Sequence, residues 1–303
     1  MPTYYSHGKL LLTAEYAVLD GAKALALPTK LGQSLHVEDG IGNALHWQSL
    51  DKNNSCWFET HIKLDEIADQ LKACSDPILH RFLSIIQAVH QLNPNFFNAR
   101  AGSNVITKLE FDRHWGLGSS STLINNIANW TNVDAYELLE LTFGGSGYDI
   151  ACAQYDGPII YQNHNHNRIV EAVTFDPEFS DHLYFVYLNK KRNSQKAIEA
   201  YKSVKNNFKR EAILKLNSIT MAILDCSDFK VYCELIEEHE NVISNLIEEA
   251  SLKQTLFSDF KGTVKSLGAW GGDFIMAASL EDPTYYFNNN GYSTVIPYQE
   301  MIL

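Results

Sequence analysis

The densest run of residues able to do chemistry is Gly116-Leu117-Gly118-Ser119-Ser120-Ser121, followed by Thr122. Two glycines two positions apart let a backbone turn sharply and approach a ligand, because no Cβ stands in the way. The hydroxyl residues after them open a segment with helical spacing. The first N–H groups of a helix are unpaired and the positive end of its dipole favours an anion, so a phosphate fits there. Serine hydroxyls can also reach a phosphate oxygen or a magnesium ion. A glycine turn followed by an ordinary serine N-cap accounts for the same residues. No Gly-Lys-Ser/Thr follows, so the run is not a Walker A loop, and it is not a dinucleotide fingerprint either.

Two other segments carry candidate ligands. Asn189-Lys190-Lys191-Arg192-Asn193-Ser194 concentrates three positive charges between a strand pattern and a helical one. Such a loop suits a carboxylate or phosphate substrate; a solvated basic turn is the plainer reading. Asn163-His164-Asn165-His166-Asn167 holds two histidines at the tip of an expected hairpin. No further ligands lie nearby, so an exposed polar turn is favoured over a metal site.

The chain around these segments has 303 residues, 45% hydrophobic and 20% charged, with a net charge of −12. Such a balance argues against a nucleic-acid binder, which must neutralise phosphates, and against an anionic membrane surface. A local basic pocket for a small anion remains compatible with it. The five cysteines are scattered with no Cys-x-x-Cys pair, as expected for reduced thiols in a cytoplasm. No apolar run approaches the roughly 20 residues of a membrane span, and His7, Lys9 and Glu15 argue against a signal peptide at the N-terminus. A cytoplasmic enzyme acting on a small molecule, as a monomer or homodimer, is the expectation.

The elements that must hold these residues follow from periodicity. Residues 33–60 alternate polar and apolar around Gly40 and Gly42 and read as β-hairpins. Asp76-Pro77 opens a helix to about Leu92, with Ile78, Phe82, Ile85, Ile86 and Val89 on one face. A strand at 105–111 leads into the glycine run, and a helix at about 120–130 leaves it. Helices at 134–142 and 147–155 precede strands near 158–162 and 169–175. The pattern changes at Asp176-Pro177, the expected border between domains at 1–176 and 177–303. Beyond it come strand 183–189, helices at 194–224 and 228–249, strands 263–269 and 274–279, a short helix and strand 292–296. Without the extra helix this is β-α-β-β-α-β, the split βαβ arrangement. Two α+β domains meeting at a cleft are expected, and such clefts are common ligand sites.

Four ordered segments resemble the motifs of the GHMP kinases, which include galactokinase, homoserine kinase, mevalonate kinase and phosphomevalonate kinase. Residues His7 to Gly21 (His-Gly-Lys-Leu-Leu-Leu-Thr-Ala-Glu-Tyr-Ala-Val-Leu-Asp-Gly) resemble the first motif, in the Glu-Tyr form closest to phosphomevalonate kinases. Gly-Leu-Gly-Ser-Ser at 116–120 resembles the central one. Gly145-Ser146-Gly147-Tyr148-Asp149-Ile150-Ala151 is similar to the segment with the catalytic aspartate. Residues 265–273, Lys-Ser-Leu-Gly-Ala-Trp-Gly-Gly-Asp, resemble the third motif.

The resemblance implies an α+β fold with an S5-like N-terminal domain and a ferredoxin-like C-terminal domain. It implies an ATP- and Mg2+-dependent kinase that acts on mevalonate or phosphomevalonate; a sugar or homoserine kinase, or an inactive nucleotide-binding relative, is the alternative. It places Asp149 as the base on the substrate hydroxyl and Lys9 between that base and the transferred phosphate. Gly116, Leu117, Gly118, Ser119, Ser120 and Ser121 would bind ATP phosphates, with Ser120 also on the metal. His7, Glu15, Tyr16, Lys191, Arg192, Ser194, Gly271 and Gly272 would line the substrate pocket. The chain departs from the pattern at Arg113-His114-Trp115, where proline and small residues are usual, and at Trp270. Leu138 or Leu139 stands where mevalonate kinases carry a magnesium-binding glutamate, with Glu137 and Glu140 to either side; Glu140 is the candidate metal carboxylate if the helix is shifted by a residue.

Overall fold

The computed structural model describes residues 2–98, 102–164, 167–190, 199, 201–268 and 270–303. Its contacts divide the chain into two units, each built from several segments. The first comprises Met1–Gly8, Leu31–Arg113 and Gly118–Gln154; the second comprises Lys9–Lys30, His114–Leu117 and Tyr155–Leu303.

In the first unit, strands β3 (Ala44–Leu50), β4 (Cys56–Lys63) and β5 (Ser103–Leu109) join the second half of the long β2 (Ala24–Asp39) in the order β4-β3-β5-β2. The β3–β5 pairing is parallel and the others are antiparallel. Burial alternates along β3, so Leu45 and Trp47 face inward, as period-two patterning requires. Helices α1 (Ile67–Ala73), α2 (Pro77–Leu92), α3 (Asn95–Asn98), α4 (Ser119–Thr131), α5 (Ala135–Thr142) and α6 (Tyr148–Gln154) complete the unit. Asp76 caps α2 by accepting from the Ile78 and Leu79 N–H groups at 2.8 Å, with Pro77 at the first helical position, where its missing N–H costs nothing. Phe82, Ile85, Ile86 and Val89 pack with Trp47, Ile127, Trp130 and Leu138 in one apolar core, whereas Ile78, expected on the same face, lies exposed in the first turn of the helix.

In the second unit, β8 (Leu183–Tyr187), β9 (Thr263–Ser266), β10 (Phe274–Ala278) and β11 (Val295–Pro297) form an antiparallel sheet ordered β11-β8-β10-β9. This is the ferredoxin-like order expected from the split βαβ pattern. Helices α7 (Asn206–Leu224) and α8 (Phe229–Ile247) follow β8; short α9 (Leu252–Thr255), α10 (Thr284–Asn289) and α11 (Tyr298–Met301) fill the rest. Val186, Phe257, Val264, Ile275 and Phe287 make the core beside the sheet. The unit also holds the hairpin β6 (Ile159–His164) and β7 (Asn167–Ala172), which pairs with Ala24–Ala26 of β2.

Strand β1 (Thr3–Leu11) pairs with β2. The border expected at 176/177 remains a proposal about topology: the four-stranded sheet begins just beyond it, at Leu183. No helix among the described residues is long and apolar enough to cross a membrane.

Candidate active site

The glycine run joins β5 to α4. Gly116 and Gly118 both have positive φ, 67° and 89°, a region open to glycine without Cβ strain. Gly118 is itself the N-cap of α4, and no side chain caps that end of the helix. None of the serines is therefore the N-cap of this helix. Ser121 is buried and donates backward to the Gly118 carbonyl at 2.8 Å. Ser119 is half-buried and Ser120 is exposed, at a helix start that favours an anion.

A buried polar network fixes α4. Ser6 donates to Asn126 Oδ1 at 2.7 Å, and Asn125 donates to Ser6 Oγ at 2.9 Å. Asn126 donates to the Gln33 carbonyl at 2.8 Å, and Thr122 to Gln33 Oε1 at 2.7 Å. Satisfied buried networks of this kind specify one arrangement of a core. The segment before the glycines is also held: Lys52 pairs with Asp112 at 3.6 Å, and the Arg113 guanidinium stacks 3.9 Å from the centre of the Trp57 ring. Arg113, one of the bulky residues that depart from the motif pattern, therefore has a packing partner of its own.

In the second unit, elements far apart in sequence converge on Gly116. Lys9, on β1, donates from Nζ to the Gly116 carbonyl and from its backbone N–H to the Leu117 carbonyl, both at 2.9 Å. Leu117 is fully buried. A Cβ at Gly116 would overlap the Asp273 side chain, so any larger residue there would force that third-motif carboxylate to move. Asp273 is held by backbone bonds to Leu188 N–H and to the Lys190 carbonyl, both 2.8 Å. Its turn has positive φ at Gly268, Trp270, Gly271 and Asp273, the kind of strained backbone that clusters at functional sites. Trp115 packs edge-on against Phe274 at 5.5 Å and near Tyr187 at 6.2 Å. The Tyr187 hydroxyl donates to the His114 carbonyl at 3.2 Å. Asp273 and Tyr187 carry no site signal in the sequence, because only tertiary contact brings them to the loop; Trp115 adjoins it and marks a departure from the motif pattern.

The other expected site residues are placed as follows. Asp149 lies half-buried in the first turn of α6, just after Gly147 at φ 88°, and its Oδ1 accepts from the Ile150 N–H at 3.2 Å. His7 is half-buried on β1, its ring edge-on to Tyr5 at 5.1 Å. Tyr16 is buried, with its ring 6.4 Å from Tyr201. Gly271 and Gly272 lie in the third-motif turn. Glu140 is exposed on α5, whereas Leu138 and Leu139 are core residues. Among the described residues no group of three His, Cys, Asp or Glu side chains is arranged to hold a metal. Lys191, Arg192 and Ser194 fall outside the described residues.

Glu15 points inward. It is 1% exposed, and it pairs with Lys265 of β9, which is 0% exposed and also bonds Glu240 of α8 at 3.0 Å. Burial pushes the Glu15 carboxyl up to about 7, with Lys265 opposing and Glu240 adding to the rise. Burial alone would lower the Lys265 ammonium, but the two carboxylates beside it hold it above its ordinary value. His239, also on α8, accepts from the Ala14 N–H at 2.8 Å, and burial holds its pKa well below the usual range.

No family model matches the sequence, and no curated protein matches it. Its fold, by contrast, is shared with solved kinases. The Methanococcus jannaschii mevalonate kinase superposes with a TM-score of 0.72 at 15% identity, covering 97% of this chain and 96% of the other. The Streptococcus pneumoniae phosphomevalonate kinase, solved with phosphomevalonate and AMPPNP, gives 0.66 at 17% identity over 96% and 95%. The Lactococcus lactis galactokinase, solved with galactose, gives 0.64 at 14% identity over 97% and 93%. The chain has the α+β GHMP kinase fold over nearly its full length. Within that fold, its neighbours include both mevalonate-type and sugar kinases.

Proposed function

We propose that the chain is an ATP-dependent small-molecule kinase of the GHMP type, transferring the γ-phosphoryl group to a small anionic metabolite. The observation that carries this reading is the convergence on Gly116: the first-motif Lys9 and the third-motif Asp273 meet the first glycine of the central loop. Phosphoryl transfer depends on positioning and charge stabilisation more than on covalent chemistry. In this reading Gly118, Ser119 and Ser120 present the uncapped start of α4 to the ATP phosphates, while Gly116, Leu117 and Ser121 keep the loop in shape. Asp149 takes the proton of the substrate hydroxyl, a role open to a half-buried carboxylate. Lys9 supplies positive charge beside the loop. His7, Tyr16, Gly271 and Gly272, with the basic segment at Lys191, Arg192 and Ser194, are proposed to line the substrate side. Glu15, being buried against Lys265, is given a positioning role in place of direct contact.

The exposed Ser120 hydroxyl fits a Mg2+ ion carried in on the ATP phosphates, because Mg2+ needs few protein ligands when phosphates supply the rest. Ser120 would hold it, with Glu140 as the candidate carboxylate; the ion would neutralise phosphate charge. Mevalonate or phosphomevalonate is the favoured substrate, on the Glu15-Tyr16 form of the first motif and the basic 190–192 segment. The buried leucines at 138 and 139 favour one other reading, a relative that binds nucleotide without turnover.

The test follows ADP release from ATP and magnesium with mevalonate, phosphomevalonate, homoserine and galactose in turn. Substrate-dependent ADP with one of the first two is expected. ATP binding with no ADP from any of the four would overturn the mevalonate-type assignment in favour of the non-catalytic reading.

A further inference from the structure

The corner between β1 and β2 is built around a buried excess of negative charge. Ala14 and Tyr16 both have positive φ, 63° and 62°, and neither is glycine, so the backbone on each side of Glu15 is strained. Three elements hold that corner. Helix α7 contributes Thr220, whose hydroxyl donates to Thr13 Oγ1 at 2.9 Å. Helix α8 contributes His239 and Glu240, and β9 contributes Lys265 and Ser266. Of these groups only Lys265 can carry a positive charge. His239 Nε2 accepts the Ala14 N–H, so that nitrogen carries no proton.

Two carboxylates against one ammonium leave a net charge of about −1 if all three ionise, in a site closed to water. A net charge so buried is strongly unfavourable, and such groups take up a proton instead. The hydrogen bonds indicate where the proton resides. Glu240 accepts from Lys265 at 3.0 Å and from the Ser266 hydroxyl at 2.9 Å, using both oxygens. Glu15 uses Oε1 for Lys265, while its Oε2 is buried with no hydrogen-bond partner among the described residues. That Oε2 lies 3.6 Å from His239 Nε2. An ionised carboxylate with one bare buried oxygen is much costlier than a protonated one.

We infer that Glu240 is a positioning residue that keeps Glu15 protonated up to near-neutral pH against the pull of Lys265, and that loss of this proton as pH rises loosens the strained Ala14–Tyr16 corner next to the strand that carries Lys9. The raised Glu15 pKa, driven first by burial, agrees in direction. The sign is fixed by linkage. A carboxyl bound more tightly to its proton in the folded state than in the unfolded one stabilises the fold at low pH. That contribution is lost as pH rises from the ordinary carboxylate range through about 7. The link to Lys9 rests on the kinase reading; the protonation of the corner does not.

The test is the melting temperature of the ligand-free full chain against pH, for wild type and Glu240→Gln. Wild type is expected to lose on the order of a few degrees between pH 6 and 8 from this site. Glu240→Gln leaves one carboxylate against one ammonium, so its Glu15 ionises with no net charge and its loss moves at least about one pH unit lower. Because that variant can fail to fold, Glu15 is also titrated in the wild-type chain by carboxyl NMR, with the Glu15→Gln spectrum assigning the signal. A midpoint near neutrality supports the inference. A midpoint in the ordinary carboxylate range, or superimposable melting profiles for the two proteins, overturns it. Both readouts work without substrate, so they stand even if no kinase activity is found; where activity is found, kcat should follow the same midpoint and shift with it in Glu240→Gln.

Discussion

Two motif carboxylates, Glu15 and Asp149, have opposite settings. Glu15 is shut in the interior against Lys265, on a strained corner with no access to solvent. Asp149 is half-buried at the start of a seven-residue helix, after a positive-φ glycine. A carboxylate of the first kind shapes the protein; one of the second kind can meet a ligand. Motif membership alone does not separate these roles, whereas burial and partners do.

The sharpest way to break that comparison is Asp149→Asn. We expect turnover to fall by roughly 10²–10⁴, the usual worth of a general base, with the melting temperature nearly unchanged. Near-normal turnover would remove Asp149 from the base role. Lys265→Met tests the other side. Leaving Glu15 and Glu240 buried without their cation should cost about 3–5 kcal/mol of stability, read by denaturant unfolding.

Helix α2 was legible because Asp76-Pro77 starts it and Phe82, Ile85, Ile86 and Val89 recur at helical spacing. The order of the four-stranded sheet was legible because strand and helix patterns alternate after residue 183. The environment of Glu15 was not, because its cation is 250 positions away. Its motif resemblance suggested a substrate contact, while packing by α8 and β9 closes it off. In sequence Asp273 only ends a glycine-rich turn, and nothing local announces that its carboxylate lies against Gly116. The reading of Ser119–Ser121 as caps was open in sequence, and only the observed glycine N-cap closed it.

Smaller effects sharpen the account at the loop. Gly116→Ala places a methyl group where Asp273 lies and demands positive φ of an alanine. A destabilisation of about 1–3 kcal/mol is expected, with weaker ATP binding. The double variant Gly116→Ala with Asp273→Gly should regain part of the loss, because it removes the overlap. Ser120→Ala should be the mildest, raising the KM for Mg-ATP by about tenfold, the worth of one hydrogen bond to a charged group, with stability unchanged.

The most direct measurement is a calorimetric titration of the full chain with ATP and magnesium, repeated with Lys9→Met. The account predicts one site with a dissociation constant between about 1 µM and 1 mM, the range ordinary for enzyme substrates, and weaker binding in the variant. No binding at millimolar ATP by the folded wild-type chain would contradict the phosphate-binding role of the Gly116–Ser121 loop.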